Sequence, residues 1–472
     1  MKKLLFISII IIIIQSSLFS QGCLPDGITF TTQSQIDNFQ MDYPGCIEIE
    51  GDVIISGSDI SNFNGLNVLT HIGGFLFIQN NDLLTSCTGL DNLSSISGKF
   101  FIRNNPSLLS LEGLEALTYI GEGIKIYYNN ALTNISGLDN LSTIHTYGVD
   151  ISDNYSLTSI TALSNLTECN GIVYINFNHK LPNLEGLESL DFATSGLEIS
   201  FNDTLSSLSG LENIQYVGGN CVITHNKNLA NLWHLNKLDS VRGFLAITDN
   251  PGLINLTGLE GLSYVGSDLY IEYNPWLTDL EGLNNLDTII GMLALHYNDA
   301  LVDLMGMNSI DYIGDEIWID NNKQLRSLEG LDNVDPHSIE SLFIYNNDSL
   351  ATCEVRSVCE YLATPNANTS IENNKSGCYS EAEVLSLCIE GYSITSEKPN
   401  FTIYPNPSTD LINIAGNGII ITKVIIYEQM GKEILNLSGK TSEIEISNLK
   451  QGLYFVQIFS ANSSYVEKLI IN

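Results

Sequence analysis

The stretch Leu245-Ala-Ile-Thr-Asp-Asn250-Pro-Gly-Leu253-Ile-Asn-Leu256-Thr-Gly258-Leu259-Glu-Gly-Leu262-Ser-Tyr-Val265-Gly266 decides the fold. Leu245 and Ile247 stand two apart with a variable residue between them, the spacing of a short strand with one buried face. Asn250 follows, and aliphatic residues then recur every third position to Val265. The unit starts at Leu76 and is still in phase at Leu342, in steps of 24 residues apart from two of 25. Its Asn never fails: Asn81, Asn105, Asn129, Asn154, Asn178, Asn202, Asn226, Asn250, Asn274, Asn298, Asn322 and Asn347. An imperfect earlier coil starts near Val53.

A strand of three or four residues cannot stand alone. Stacked coils pair such strands in parallel and bury one continuous core. The Asn turns the chain inward, its amide meets backbone groups that the turn leaves unpaired, and successive Asn residues form a ladder. The glycine before the second leucine, as at Gly258, serves a tight bend or a close approach, although Ala162 and His234 hold that place in two coils. The phrase N-x-x-L-x-x-L-x-G-L, followed by the Ile-Gly or Val-Gly close, resembles the leucine-rich-like repeats of receptor L domains over roughly residues 46–350. The resemblance implies a single-handed β-helix module of the kind that binds protein ligands in receptor ectodomains, with no particular ligand carried over.

Both ends of a solenoid need covering. Cys23 and Cys46 bracket a short helical stretch, Thr32 to Phe39, and are expected to bond as an N-terminal cap. Cys353, Cys359, Cys378 and Cys388 follow the last coil, with helices expected over Glu354–Leu362 and Ser380–Cys388. Four cysteines allow three pairings, of which Cys353–Cys378 with Cys359–Cys388 is preferred. Cys87, Cys169 and Cys221 replace core aliphatics and read as buried free thiols.

Residues 1–20 read as a secretory signal peptide: Lys2 and Lys3, an apolar run Leu4 to Ile14, then small polar residues up to a cut after Ser20. Ser20 also stands where lipid attachment to Cys23 would want leucine. The apolar run is too short for a stable span and no later segment is long enough, so no transmembrane anchor is expected.

The repeat stops after Cys388. Residues 391–400 read as a linker, and 401–472 as a small Ig-like β-sandwich with strands at Leu411–Ile414, Lys423–Tyr427, Glu443–Ile446, Tyr454–Phe459 and Val466–Ile471 and a turn at Met430-Gly431-Lys432. Tyr404-Pro405-Asn406-Pro407, Asp410, Ile426-Tyr427 with Gly431-Lys432, the Gly452-Leu453-Tyr454-Phe455 block and Lys468 together resemble the C-terminal sorting domain of the type IX secretion system of Bacteroidota. The resemblance implies export across both membranes, the secretion machinery as a partner, and a secreted or outer-membrane-surface destination.

Acids outnumber bases 54 to 19. With two Lys in 1–20 and five Lys against six acids in 401–472 set aside, residues 21–400 hold 12 bases and 48 acids, a net of −36. Such a body repels nucleic acid and anionic membranes. Its acidity reads as solubility, with calcium binding as the sharper alternative. The seven His are scattered, and no nucleophile elbow, HExxH or phosphate loop occurs. The four Arg lie in separate coils, against a polysaccharide lyase that needs a base. No enzyme, metal or cofactor is expected.

The fold class is therefore all-β: a parallel β-solenoid over 53–350, an N-terminal cap over 21–52, a C-terminal cysteine cap over 351–390, then the sandwich. Function is expected in the variable strand slots. Tyr270, Glu272, Tyr273, Tyr297, Trp318, Asp320, Phe343 and Tyr345 form the densest group of rings and carboxylates there. Such a group suits binding of a protein or glycan through the exposed sheet face. A structural surface component and a polysaccharide-active β-helix enzyme are the alternatives.

Overall fold

The computed structural model describes residues 22–391, 401–416, 421–428, 433–439, 443–459 and 464–472. The expected signal peptide, the expected linker beyond Gly391 and the expected turn at Met430–Lys432 lie outside them. One parallel sheet of 15 strands runs the length of the solenoid, from Ile28–Phe30 to Asn368–Glu372. Register is constant: Leu245 and Ile247 pair with Cys221 and Ile223 on one side and with Leu269 and Ile271 on the other. The alternate residues point inward and share one apolar core from Phe30 to Cys388.

Two features exceed the sequence reading. The residues just before the closing glycine, such as Tyr264–Val265, pair from coil to coil as two-residue strands. They make two further six-stranded sheets, Glu48–Ile49 to Glu168–Cys169 and Phe192–Ala193 to Tyr312–Ile313. Two residues are too few for a periodic signal. The caps also add strands to the main sheet: Ile28–Phe30 pairs with Val53–Ile55, and Asn368–Glu372 with Ser341–Tyr345.

The asparagines form the ladder, every one fully buried from Asn81 to Asn347. Asn226 Nδ2 donates to the carbonyls of Ile199 and Thr224, while its backbone N–H donates to Asn250 Oδ1. Asn374, beyond the last full coil, closes the series by accepting from Asn347 and donating to Ile344. Each rung thus satisfies backbone groups that burial would otherwise leave unpaired, at about 1–3 kcal/mol apiece.

Thr32 and Gln35 cap the helix Gln33–Asp37 reciprocally, and a second turn, Phe39–Asp42, buries Phe39 under the first coil. Cys23 bonds Cys46, Cys353 bonds Cys378 and Cys359 bonds Cys388. The C-terminal cap helices run Arg356–Leu362 and Glu381–Gly391, the first starting two residues later than the sequence suggests. Cys87, Cys169 and Cys221 are buried free thiols, and burial pushes Cys169 up to about 11 and Cys221 to about 12.

The C-terminal module holds a three-stranded antiparallel sheet (Phe401–Tyr404, Leu411–Gly416, Glu443–Glu445) and a four-stranded one (Glu433–Ser438, Lys423–Glu428, Gly452–Phe459, Ser464–Ile471). Ile412, Val424, Val456 and Leu469 lie in their shared core. Phe401–Tyr404 and Glu433–Ser438 are strands that the sequence reading omitted.

Candidate functional site

The residue before each ladder asparagine sits in the left-handed backbone region, with φ between 53° and 58° from Asn80 to Asn373. Asn and Asp tolerate this region, and they hold seven of the thirteen places. The other six carry rings: Tyr128, Phe177, Phe201, His225, Tyr273 and Tyr297. A bulky residue there costs about 1–2 kcal/mol, and the fold does not need one, because Asp or Asn serves in the neighbouring coils. The turn throws these rings out along one edge of the main sheet in a second ladder. Phe177 stacks on Phe201 at 4.3 Å, Phe201 on His225 at 4.1 Å, and Tyr273 on Tyr297 at 4.7 Å.

Between the two stacks lies a groove of about 620 Å³. Its walls include Phe201, His225, Tyr273 and Tyr297, with Asp249 between them. The residues that follow the ladder asparagines form its other side: His179, Asp203 and Lys227, then Pro251, Pro275 and Asp299. His179 Nδ1 and Lys227 Nζ both reach Asp203, at 3.0 and 2.8 Å. His225 Nδ1 is in hydrogen-bond contact with the Thr224 hydroxyl at 2.8 Å, and Nε2 faces Asp249 at 3.9 Å.

The residues singled out from sequence fall into two places. Tyr273 and Tyr297 belong to this edge groove, and both are exposed. Trp318, Phe343 and Tyr345 cluster on the sheet face, with Trp318 6.1 Å from Phe343 and 6.3 Å from Tyr345. Asp320, beside them, is buried rather than exposed, because its carboxylate folds back onto His296 and Asn321. His296 lies between Glu272 at 3.3 Å and Asp320 at 3.2 Å, with Trp318 edge-on to its ring. Burial lowers the His296 imidazole against the opposing pull of Asp320, and burial with the charges of Asp249 and Asp320 raises Glu272. Tyr270 turns away from this patch: it donates to Asp268 at 3.0 Å and packs edge-on to Phe244. Burial and Asp268 push its phenol up to about 12.

Sequence reasoning missed His225, Asp249 and the residues after the ladder asparagines. Rings where Asn or Asp is the norm, at 24-residue spacing, were the signal. Elsewhere on the face, Phe77, Gln79, Phe101, Arg103 and Tyr127 line a dimple of about 130 Å³. Arg103 donates there to Gln79 and to the Tyr127 hydroxyl. Among the described residues no group of three or more His, Cys, Asp or Glu could hold a metal ion, and no helix is long and apolar enough to cross a membrane.

In the C-terminal module the Tyr404–Pro407 segment is sewn to the last strand. Asn406 Oδ1 accepts from the Ile470 N–H, and Asn406 Nδ2 donates to the Lys468 carbonyl. The Tyr454 hydroxyl donates to the Lys450 carbonyl, just ahead of Gly452. A family model described as a secretion system C-terminal sorting domain matches residues 402–472, and one described as a receptor L domain matches residues 45–112. The chain is thus similar to a receptor L domain at the start of its solenoid and to a type IX sorting domain at its C-terminal end. No curated protein matches it. The sorting domain places the solenoid outside the cell, secreted or at the outer-membrane surface, and implies the type IX machinery as a partner.

Proposed function

We propose that this exported solenoid is a non-catalytic binding protein that holds a glycan or protein outside the cell, using the aromatic groove and the adjoining Trp318 face. One observation carries the reading: six rings occupy left-handed backbone positions at a cost in stability, and five of them build the stacks that flank the groove. Strained backbone positions gathered along one edge, filled with rings where Asp or Asn would serve the turn, support a functional surface. Rings with nearby carboxylates suit sugar hydroxyls or polar protein surfaces.

The test is a glycan array, with candidate surface proteins in parallel, probed with the purified full chain and with Tyr273→Ala and Trp318→Ala. Binding by the wild type and at least about a tenfold loss in each variant, roughly 1.4 kcal/mol, is expected. Variants that bind as the wild type does would remove the aromatic surface from the argument. Turnover of a polysaccharide would favour an enzyme instead.

A further inference from the structure

From Phe177 to Tyr297 the ring ladder is interrupted once, as it is also interrupted at Asp153 on the far side of Phe177. Phe177, Phe201 and His225 stack in sequence, Tyr273 and Tyr297 stack in sequence, and the rung between them is Asp249. The backbone does not notice the gap. Asp249 keeps φ at 53°, and its N–H donates to the Glu272 carbonyl at 3.0 Å, as the Tyr273 N–H donates to that of His296 at 2.9 Å. Only the ring is missing. His225 and Tyr273 are two strands apart, so about 9.6 Å separates their rungs at the usual strand spacing. An inserted ring would lie about 4.8 Å from each wall, close to the 4.7 Å of the Tyr273–Tyr297 stack.

Building on the binding reading above, we propose that the vacant rung at Asp249 is a subsite for one neutral pyranose ring, sandwiched between His225 and Tyr273. Asp249 decides between ring types. An aromatic ring would press carbon against the Asp249 carboxylate and strip its water while offering at most one donor, on a phenol or an indole, which is costly. A pyranose turns apolar C–H faces to both walls and donating hydroxyls around its rim. Asp249, between the two walls, is an acceptor for those hydroxyls, and Asp203 and Asp299, each paired to a lysine, line the same groove. An anionic sugar would meet the Asp249 carboxylate unfavourably. The Thr224 contact to Nδ1 fixes the His225 ring beforehand, so that wall needs no reorganisation.

The test titrates the full chain separately with methyl β-glucopyranoside, methyl β-galactopyranoside, methyl α-mannopyranoside and N-acetyltyrosinamide, followed by saturation-transfer NMR and calorimetry. At least one glycoside is expected to bind with a Kd on the order of 1 mM. Asp249→Tyr should fill the rung with a ring of the protein's own and weaken binding about tenfold or more. Tyr already sits in this backbone conformation at positions 273 and 297, so the variant should fold, with its urea midpoint lowered by no more than the cost of about 1–2 kcal/mol that a ring carries there. His225→Ala removes one wall and should weaken the same glycoside. The proposal is overturned if no glycoside binds, if Asp249→Tyr binds as the wild type does, or if N-acetyltyrosinamide binds in preference. If a macromolecular ligand is lost on Trp318→Ala yet kept by Asp249→Tyr, the subsite fails while the binding reading stands. If the glycoside binds but neither the array nor the surface proteins yield a ligand, the subsite stands and the broader reading fails.

Discussion

At His234 the chain takes φ +87° at a place where seven other coils use a glycine between +104° and +119°. The glycine has two reasons. The backbone is left-handed there, and a Cβ at Gly258, one coil on, would fall 2.0 Å from the Leu232 carbonyl oxygen. Ala162 escapes the demand because its coil closes with a short 3₁₀ turn, Thr161–Leu163. His234 does not escape it, and its distant Glu212 partner at 3.8 Å is partly exposed and offsets little. His234→Gly should therefore stabilise the solenoid by about 0.5–1 kcal/mol, the relief of strain less the entropy that glycine adds to the unfolded chain. A higher urea midpoint at unchanged slope is the expected reading; a lower one would show that the imidazole contacts outweigh the strain. The ladder asparagines were legible at this same scale, since burial and a fixed turn leave one residue type that can both donate to and accept from the backbone. The rings beside them were visible as residues, but not as left-handed ones, because sequence spacing does not report φ.

The strand is the element that the spacing of two predicts, and the main sheet follows it closely. The two-residue strands of the second face carry no such signal, and only stacking makes them strands. The caps show the same limit. Asn368–Glu372 reads as polar sequence, yet it pairs along its whole length with Ser341–Tyr345, and Asn374 ends the ladder behind it. The Cys359–Cys388 bond ties the helix Glu381–Gly391 across this last layer, closing a loop with a separation of 29 residues. Cys359→Ser with Cys388→Ser should cost the cap about 2–4 kcal/mol. Each layer touches only its neighbours, so the loss should stay local. Limited proteolysis should cut first between 363 and 391 and leave the coils up to Asn347 intact. Simultaneous loss of the whole solenoid would instead mean that the cap is coupled to every coil.

Across the whole molecule the acid excess sets the response to pH. Burial, with the charges of Asp311 and Asp239, holds the Asp287 carboxyl above its ordinary value; Glu272 is raised by burial, Asp249 and Asp320, and Asp315 by burial and Glu340. A carboxyl raised in the folded state binds its proton more readily there than in the unfolded chain. Its contribution to stability is complete below the ordinary carboxylate range, near pH 4, and is lost as pH rises through the folded value. His296 works the other way. Its lowered imidazole contributes above its ordinary value, near 6.5, and loses that contribution on acidification. The carboxylates outnumber it, and protonation also relieves the repulsion of a strongly acidic body. The urea midpoint should therefore be higher at pH 5.0 than at pH 7.5, and Asp287→Asn should narrow the difference. A midpoint that falls between pH 7.5 and pH 5.0 would mean that His296 dominates.

Sequence alone determined the 24-residue coil, the buried strand pairs, the asparagine ladder and the sorting segment behind them. Each depends on contacts repeated at one fixed spacing or on a contiguous motif, so the pattern survives in one dimension. Only the tertiary structure decided where the exposed residues meet. It moved Tyr273 and Tyr297 to the edge, turned Tyr270 toward Asp268, buried Asp320 against His296, and set Asp249 as a gap between two stacks. The physical reason is the turn before each asparagine: a backbone dihedral sends a side chain to the edge or the face, and stacking at strand spacing makes residues 24 or 48 apart into neighbours.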